Sequence, residues 1–140
     1  MATYTKFNQF TKDLIDGVHD MDGHAFKVML TLTAPIATNS IKGDLTEISA
    51  GNGYSAGGTA TTITTSTAAG VAKATATDVT FTASGGSIAN FRYVVLYNDT
   101  PAAPLDPLIA FWDSGATQTI TIGNSFVVDF DGAAGVFTVT

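Results

Sequence analysis

The stretch FRYVVLYNDT, residues 91–100, decides the fold of this chain of 140 residues. The odd positions from Phe91 to Tyr97 carry three aromatic residues and a valine on one face of a predicted strand, while Val94 and Leu96 make the other face apolar. A strand that is apolar on both faces must be covered on both. We therefore expect one face to meet an opposing sheet and the other to meet a helix or another chain.

Short segments of alternating pattern, separated by turn residues, surround this strand. They lie at residues 25–33, 59–67, 72–83, 108–115, 117–122, 125–130 and 135–140. The turns AAG at 68–70, GN at 123–124 and DGAAG at 131–135 predict hairpins between neighbouring segments. About eight to ten short strands with close turns predict a mainly β fold, an antiparallel β-sandwich or jelly roll.

Two of these segments have two predicted faces of different composition. In AFKVMLTLT, residues 25–33, the alternation indicates a half-buried strand with Lys27, Thr31 and Thr33 outside and the apolar positions inside. Those apolar positions are Phe26, Val28, Leu30 and Leu32. In the threonine-rich middle, the odd positions from Val71 to Phe81 share a face, and alanine and threonine dominate the other.

One helix is predicted, from Thr5 to Val18, because Phe7, Phe10 and Leu14 fall on one side at helical spacing. Thr5 can cap its start and Gly17 can end it. The apolar side is expected to dock on a sheet or on a neighbouring subunit. The chain is thus predicted to be a single domain over 1–140, with a helix at 5–18 and a β-sandwich over 25–140.

The composition limits the function. Charged residues make up 13% of the chain, the formal net charge is −6, and there is no cysteine. The acidic balance argues against nucleic acid, and the missing cysteines exclude disulfides and thiolate metal sites. No apolar run reaches the roughly 20 residues of a membrane span, and no export signal is expected. A surface rich in threonine, serine, glycine and alanine loses little ionic hydration against a partner, although threonine also has high strand propensity.

The segment HDMDGH, residues 19–24, gathers two histidines and two aspartates, and its D-x-D-G fragment resembles the start of a calcium loop. The later acidic ligands of such a loop are missing. The segment is interpreted as a solvated connection between helix and strand, with an adventitious cation site as the alternative. We expect no resident metal and no cofactor.

Two further motifs have structural and chemical readings. AGNGYSAGG, residues 50–58, lacks the lysine of a phosphate loop, so it indicates a tight bend or a loop pressed against a neighbour. Asp129 and Asp131 lie two residues apart, as an acid–base pair could, but Asp131 opens a turn, where aspartate is expected for backbone reasons. Neither histidine flanks a G-x-S-x-G nucleophile elbow, so no serine has a base to activate it. No catalytic residue is therefore assigned, and the chain is not expected to be an enzyme.

Aromatic residues remain as candidates for contact. Tyr93, Tyr97, Phe111 and Trp112 can form a platform on which a sugar ring stacks, or they can fill a sandwich core. The core is the favoured interpretation. The residues named as a candidate interface are Phe7, Phe10, Leu14, Tyr93, Tyr97 and Trp112.

Several segments of the sequence together resemble a known protein family. The helix KFNQFTKDLIDGVHDM and the segments FKVMLTLTAPIATNS, ISAGNGYSAGG, TASGGSIANFRYVVLYNDT, PLIAFWDSG and NSFVVDFDGAAGVFTV occur in one order over nearly the whole chain. Together they resemble a family of small virion structural proteins of tailed bacteriophages. The segment TATTITTSTAAGVAKATAT, residues 59–77, departs from that family.

The resemblance implies a capsid decoration, or cement, protein on the outer surface of the head, made in the cytoplasm of the host bacterium. The implied partner is the major capsid protein. We also expect self-association, as a homotrimer at a local three-fold position, because edge strands with few charges are usually covered. A tail or fibre component that adsorbs to glycans through Tyr97, Trp112 or the 98–107 loop is the alternative. A carbohydrate-binding module of a bacterial enzyme is a third.

Overall fold

The computed structural model describes residues 3–140, which form antiparallel sheets and one short helix, and this confirms the predicted mainly β class. The strands are β1 Thr3–Lys6, β2 Phe26–Thr31, β3 Thr59–Thr61, β4 Ile63–Ala68, β5 Val71–Ala76, β6 Val79–Thr82, β7 Phe91–Asn98, β8 Leu108–Gln118, β9 Ser125–Val128 and β10 Phe137–Val139. Helix α1 spans Asn8–Ile15, and a 3₁₀ helix spans Lys42–Asp44.

The strands form a sandwich-like arrangement. Strands β1, β8, β7, β2 and β3 make a five-stranded sheet in that order, while β10-β5-β4 and β6-β9 form two smaller sheets. The main core contains Val28 and Leu96 from the large sheet together with Ala74 and Phe81 from the small ones. The large sheet therefore has one face packed against both small sheets.

Strand β7 has apolar contacts on both faces, as its sequence predicts. Val94 and Leu96 belong to the main core, whereas Val95 and Tyr97 belong to a second cluster on the opposite face. Phe91 was predicted on the face of Tyr97, and that prediction is wrong. The pairing of β7 with β8 shifts register between Phe91 and Tyr93. Such a bulge changes which face a side chain takes, and Phe91 enters the main core.

The second face of the large sheet is covered by the chain's own segments. Phe7 and the half-buried Leu45 pack in this second cluster. The segment between β2 and β3 is tied down at Leu30, whose carbonyl accepts from Ile48 N–H at 3.1 Å. The Thr46 carbonyl accepts from Thr31 Oγ1 at 2.6 Å. A loop, together with the residue before the helix, thus provides the cover expected from the helix or another chain.

Strand β2 is also buried on both faces, so the half-buried prediction for it is wrong. Met29 and Thr31 are buried opposite Val28 and Leu30. Leu32, predicted on the inner face, lies beyond the strand and is 48% exposed. The sequence shows the alternation of β2 but not the loop that covers its second face.

Helix α1 is shorter than predicted because the residues before it form an edge strand. Thr5 and Lys6 belong to β1, which pairs with β8 and places strand residues ahead of position 25. The N-cap is Phe7, without a side-chain cap. At the other end the helix finishes at Ile15, and Gly17 follows with φ +77°, in agreement with its predicted role.

The segment 72–83, predicted as one strand, forms two strands, β5 and β6. Ala74 is buried and Val71 is exposed, so β5 turns its alanine face inward. Val79 and Phe81 of β6 are buried, so the prediction that they share a face with Val71 is wrong. The chain leaves extended pairing at residues 77–78, and this break allows the inner face to change between the strands. Small alanine side chains suit β5 because bulky Phe10 and Phe137 fill the core nearby.

One of the three predicted hairpins forms. β4 and β5 pair from Ile63–Ala76 to Ala68–Val71 around the AAG turn. β9 pairs with β6, and β10 pairs with β5, so neither the GN nor the DGAAG turn joins paired neighbours. Residues 119–122 form no strand. The turn signals mark local bends correctly, but the partner of each strand depends on the two-layer packing.

The glycine-dense loop is pressed against the large sheet, as one reading of AGNGYSAGG predicts. A Cβ on Gly58, which has φ +83°, would lie 1.9 Å from the carbonyl oxygen of Val28. Only glycine accommodates both that conformation and that approach. The loop also brings Tyr54 inward, where its hydroxyl donates to Glu47 Oε1 at 2.7 Å.

Candidate functional site

Three of the six candidate interface residues are internal to the chain. Phe7 packs on Phe111 with ring centroids 5.1 Å apart, and Phe10 lies between His19 and Phe137. Tyr97 is 1% exposed and donates its hydroxyl to the carbonyl of Gly57 at 2.6 Å. Burial raises the pKa of Tyr97, and nearby carboxylates raise it further. These aromatic rings hold the fold and present little surface to a partner.

Tyr93 is half-buried on the outer face of the large sheet. Its ring packs edge-on against Phe111 at 6.5 Å, and the guanidinium of Arg92 lies 5.5 Å from its centroid. Arg92 forms a two-point ion pair with Asp113, at 2.7 and 3.0 Å. The hydrogen bond from Arg92 holds the pKa of Asp113 below its usual value. This outer patch is polar and internally paired.

The HDMDGH segment is docked on the end of β7, so the solvated reading is wrong for His19. Asn98 Nδ2 lies 3.1 Å from Nδ1 of His19 and 2.9 Å from Nδ1 of His24. Asn98 Oδ1 accepts from Thr100 N–H, which leaves the amide nitrogen as donor to both rings. Both imidazoles thus accept a hydrogen bond from Asn98 at Nδ1.

His19 is 6% exposed, and its Nε2 has no partner within residues 3–140. Burial lowers the pKa of His19 to about 4, although the carboxylate of Asp13 opposes that shift. Across the described range no group of three or more metal-ligating side chains is found. The histidine pair therefore joins the HDMDGH segment to the end of β7 through Asn98.

One candidate surface is a cleft of about 580 Å³ at one side of the sandwich. Its floor includes a row across three strands, in which Tyr4 pairs with Trp112 and Trp112 pairs with Val94. The opposite wall comes from β9 and from the residues between β9 and β10. Because β9 and β10 pair with different strands, the small-sheet layer does not close over this row.

Aromatic rings line the cleft in edge-to-face contact. Trp112 packs against Tyr4 at 5.4 Å and 61°, and against Phe130 at 5.4 Å and 71°. Phe126, a further lining residue, packs on the buried Phe91 at 4.9 Å. The rings thus support one another, while Tyr4 remains 41% exposed.

Two carboxylates complete the cleft. Oδ1 of Asp131 accepts from the backbone N–H groups of Ala133 and Ala134 at 2.8 and 2.9 Å, and these bonds hold its pKa below the usual value. This agrees with the turn role predicted for Asp131. Asp129 is exposed, lies beyond the end of β9 and lines the same cleft. No lysine, arginine or histidine is among the described residues that line it.

A second candidate surface is the β4–β5 hairpin. Residues 64–71 are all exposed and include no charged side chain. β4 is the edge of its sheet, with β5 as its only paired neighbour among the described strands. Natural edge strands are usually protected by charges, proline or bulges, and here none of the eight residues supplies a charge or a proline.

A third surface is an apolar groove of about 330 Å³ beside the helix. Leu14, Met21, Phe137 and Val139 line it. Leu14 is half-buried against the main core, and Val139 is 47% exposed. Of the six candidate interface residues, Leu14 and Trp112 are thus the two that line surface depressions.

Comparison of the chain with family models, curated proteins and solved structures finds no match. Within residues 3–140, no helix has the length and apolar character needed to cross a membrane.

The sequence identified Trp112, Asp129 and Asp131 separately but did not bring them together. Tyr4 was missed because its strand was not predicted, and Phe126 and Phe130 were placed in a hairpin that does not form. The signal that could have drawn attention to this region is FVVDFD, residues 126–131, in which aromatic and acidic residues are closely interleaved.

Proposed function

We propose that the chain is a structural protein of a tailed-bacteriophage particle, and that it binds the outer surface of the head as a capsid decoration protein. The observation that carries this proposal is the exposed, uncharged edge formed by residues 64–71. The resemblance of the whole chain to small virion proteins supports the same assignment.

The hairpin suits a docking role because its desolvation is inexpensive. Threonine, serine, alanine and glycine carry no ionic hydration shell, and an edge strand offers unpaired backbone donors and acceptors to a partner strand. Strand β4 is also ordered by its pairing with β5, so the hairpin loses little conformational freedom on binding. The major capsid protein is the proposed partner.

A shell lattice reduces the affinity needed from each contact. Many identical sites raise the effective concentration of a bound protein, so a modest interface of about 800 Å² per partner is enough. Self-association at a local three-fold position fits the same surfaces, since both the hairpin edge and the groove beside Leu14 are open.

The docking role is tested by placing charges on the hairpin. Thr64→Lys combined with Ala68→Lys puts two cations on exposed positions of β4. Thr117→Lys combined with Thr121→Lys is the matched control, since both positions are exposed and lie outside the hairpin. Co-sedimentation with phage particles that lack the chain measures binding, and thermal unfolding confirms the fold.

We expect the hairpin variant to bind at least about tenfold more weakly and the control to bind like the wild type. Equal binding by the hairpin variant would refute the docking edge. Copy number separates head from tail: a decoration protein is present on the order of hundreds of times per particle, since it follows the shell lattice. About a dozen copies or fewer would instead favour the tail or fibre role.

A further inference from the structure

We propose that the cleft between β1–β8 and the β9–β10 region binds a neutral saccharide of one or two rings. The proposal does not depend on where the protein sits in a particle. It rests on the size of the cleft, on its aromatic floor and wall, and on two carboxylates at the rim, with no basic residue among the described lining residues.

The cleft is a consequence of strand pairing. β9 pairs with β6 and β10 pairs with β5, so a cleft remains between them, and the inner row Tyr4–Trp112–Val94 lines it. Its volume of about 580 Å³ lies within the range of small-molecule sites, roughly 300–1,000 Å³. This space accommodates two sugar rings and is far larger than a single ammonium or guanidinium group.

The aromatic residues provide the apolar part of the site. Trp112 is fixed between Tyr4 and Phe130 by edge-to-face contacts, so its ring is positioned before a ligand arrives. The C–H faces of a pyranose ring are apolar and pack against such rings, whereas its hydroxyls need polar partners at the rim. Preorganised rings reduce the entropy lost on binding.

The carboxylates provide the polar part. Asp131 has one oxygen engaged by its turn, which leaves Oδ2 available, and its low pKa keeps it ionised. The side chain of Asp129 is exposed at the same rim. Ionised carboxylates accept charge-assisted hydrogen bonds from hydroxyl groups, and these are stronger than neutral ones.

The same charges define which sugars fit. With two aspartates and no cation among the described lining residues, an acidic sugar would meet electrostatic repulsion. Lys73, whose Nζ donates to the carbonyl of Ala133 at 2.9 Å just outside the lining, offsets this repulsion only in part. The proposed ligands are therefore neutral hexoses, deoxyhexoses and N-acetylhexosamines. A cationic side chain of a partner protein is the competing occupant, because cations also favour aromatic faces and carboxylates.

Trp112 is the only tryptophan of the chain, so intrinsic fluorescence reports on the cleft directly. The wild-type protein is titrated with neutral mono- and disaccharides of these three classes up to about 100 mM, alongside glucuronic acid and Nα-acetylarginine amide. The indole proton of Trp112 is followed by NMR in the same titrations. We expect a saturable change with at least one neutral sugar, with a Kd of about 0.1–10 mM, and a weaker response to glucuronic acid.

Asp129→Ala should weaken the binding of that sugar about tenfold, since a charge-assisted hydrogen bond is lost. Asp22→Ala is the matched control, because Asp22 is exposed and outside the lining of the cleft, and it should leave binding unchanged. Thermal unfolding verifies that both variants are folded. The proposal is overturned by the absence of saturation with every neutral sugar, by preferential saturation with the arginine amide, or by equal affinity of Asp129→Ala and wild type.

Discussion

Strand β7 and residues 64–71 of the β4–β5 hairpin lie in different surroundings, although both regions are poor in charge. Residues 94–98 are buried by the chain itself, whereas residues 64–71 are exposed throughout. Val, Leu and Tyr side chains in β7 remove large apolar areas from water, while Thr and Ala in the hairpin have little apolar area to remove. Low charge thus accompanies burial in one region and an exposed, uncharged surface in the other.

The comparison is tested most strongly by truncating one buried and one exposed residue. Leu96→Ala, at a position that is 0% exposed, should reduce the free energy of unfolding by about 4 kcal/mol, because it combines lost burial with a cavity. Thr67→Ala in the hairpin should change it by less than about 0.5 kcal/mol. Chemical denaturation measures both. Similar losses for the two variants would show that the exposed residues 64–71 contribute to stability as much as the buried strand does.

The buried end of β7 should also make stability depend on pH. The pKa of His19 is lowered to about 4 in the fold, against about 6.5 when unfolded, so the unfolded chain binds more protons between these values. Stability due to His19 is therefore complete above about pH 6.5 and falls by about 3 kcal/mol as the pH drops to 4. The carboxylate of Asp13 opposes this lowering of the His19 pKa, and the neighbouring His24 reinforces it.

The contribution of His19 is isolated with His19→Gln, which keeps an acceptor for Asn98 and removes the titration. Denaturation midpoints between pH 7 and pH 4 should decline less in the variant than in the wild type, while carboxylate titrations elsewhere are common to both. Parallel pH profiles for the two proteins would contradict a neutral, buried His19.

A side chain added to the glycine-dense loop should cost more stability than one added to a free turn with the same backbone conformation. Gly58 and Gly123 both have φ +83°, but a Cβ on Gly58 meets the Val28 carbonyl, and one on Gly123 meets nothing within 4 Å. Gly58→Ala should therefore be about 2 kcal/mol less stable than Gly123→Ala, since only the former adds a steric clash to the backbone strain. Thermal unfolding compares them, and equal stabilities would mean that the loop can move away from β2.

The smallest effect is expected at the hairpin turn. Ala69 and Gly70 occupy the two central turn positions with φ +53° and +80°, as a type I′ turn requires. Ala69→Gly should relieve the strain of a side chain at positive φ and raise stability by about 0.5–1 kcal/mol. A loss of stability would indicate that the turn is not strained.

The local pattern of the sequence was sufficient for the mainly β class, for strand β7 and for the turn at AAG. Each rests on a signal contained within about ten residues, namely alternation, β-branched residues or a turn dipeptide. Helix α1 was identified for the same reason, through the spacing of Phe10 and Leu14. Its start was misplaced because Thr5 and Lys6 satisfy their backbone groups by pairing with β8, a partner more than 100 residues away.

The candidate site depends on interactions that no local pattern contains. Trp112 and Asp129 were recognisable as residue types, yet their common cleft exists only because β9 pairs with β6 and β10 with β5. Likewise, the sequence showed that both faces of β7 must be covered, while tertiary packing decided that the segment between β2 and β3 covers the second. The sequence by itself determined that β7 extends and that AAG forms a turn, since these follow from local sterics and periodicity. Tertiary structure decided which strands pair and which surfaces stay open, because contacts distant in the chain compete for the same edges.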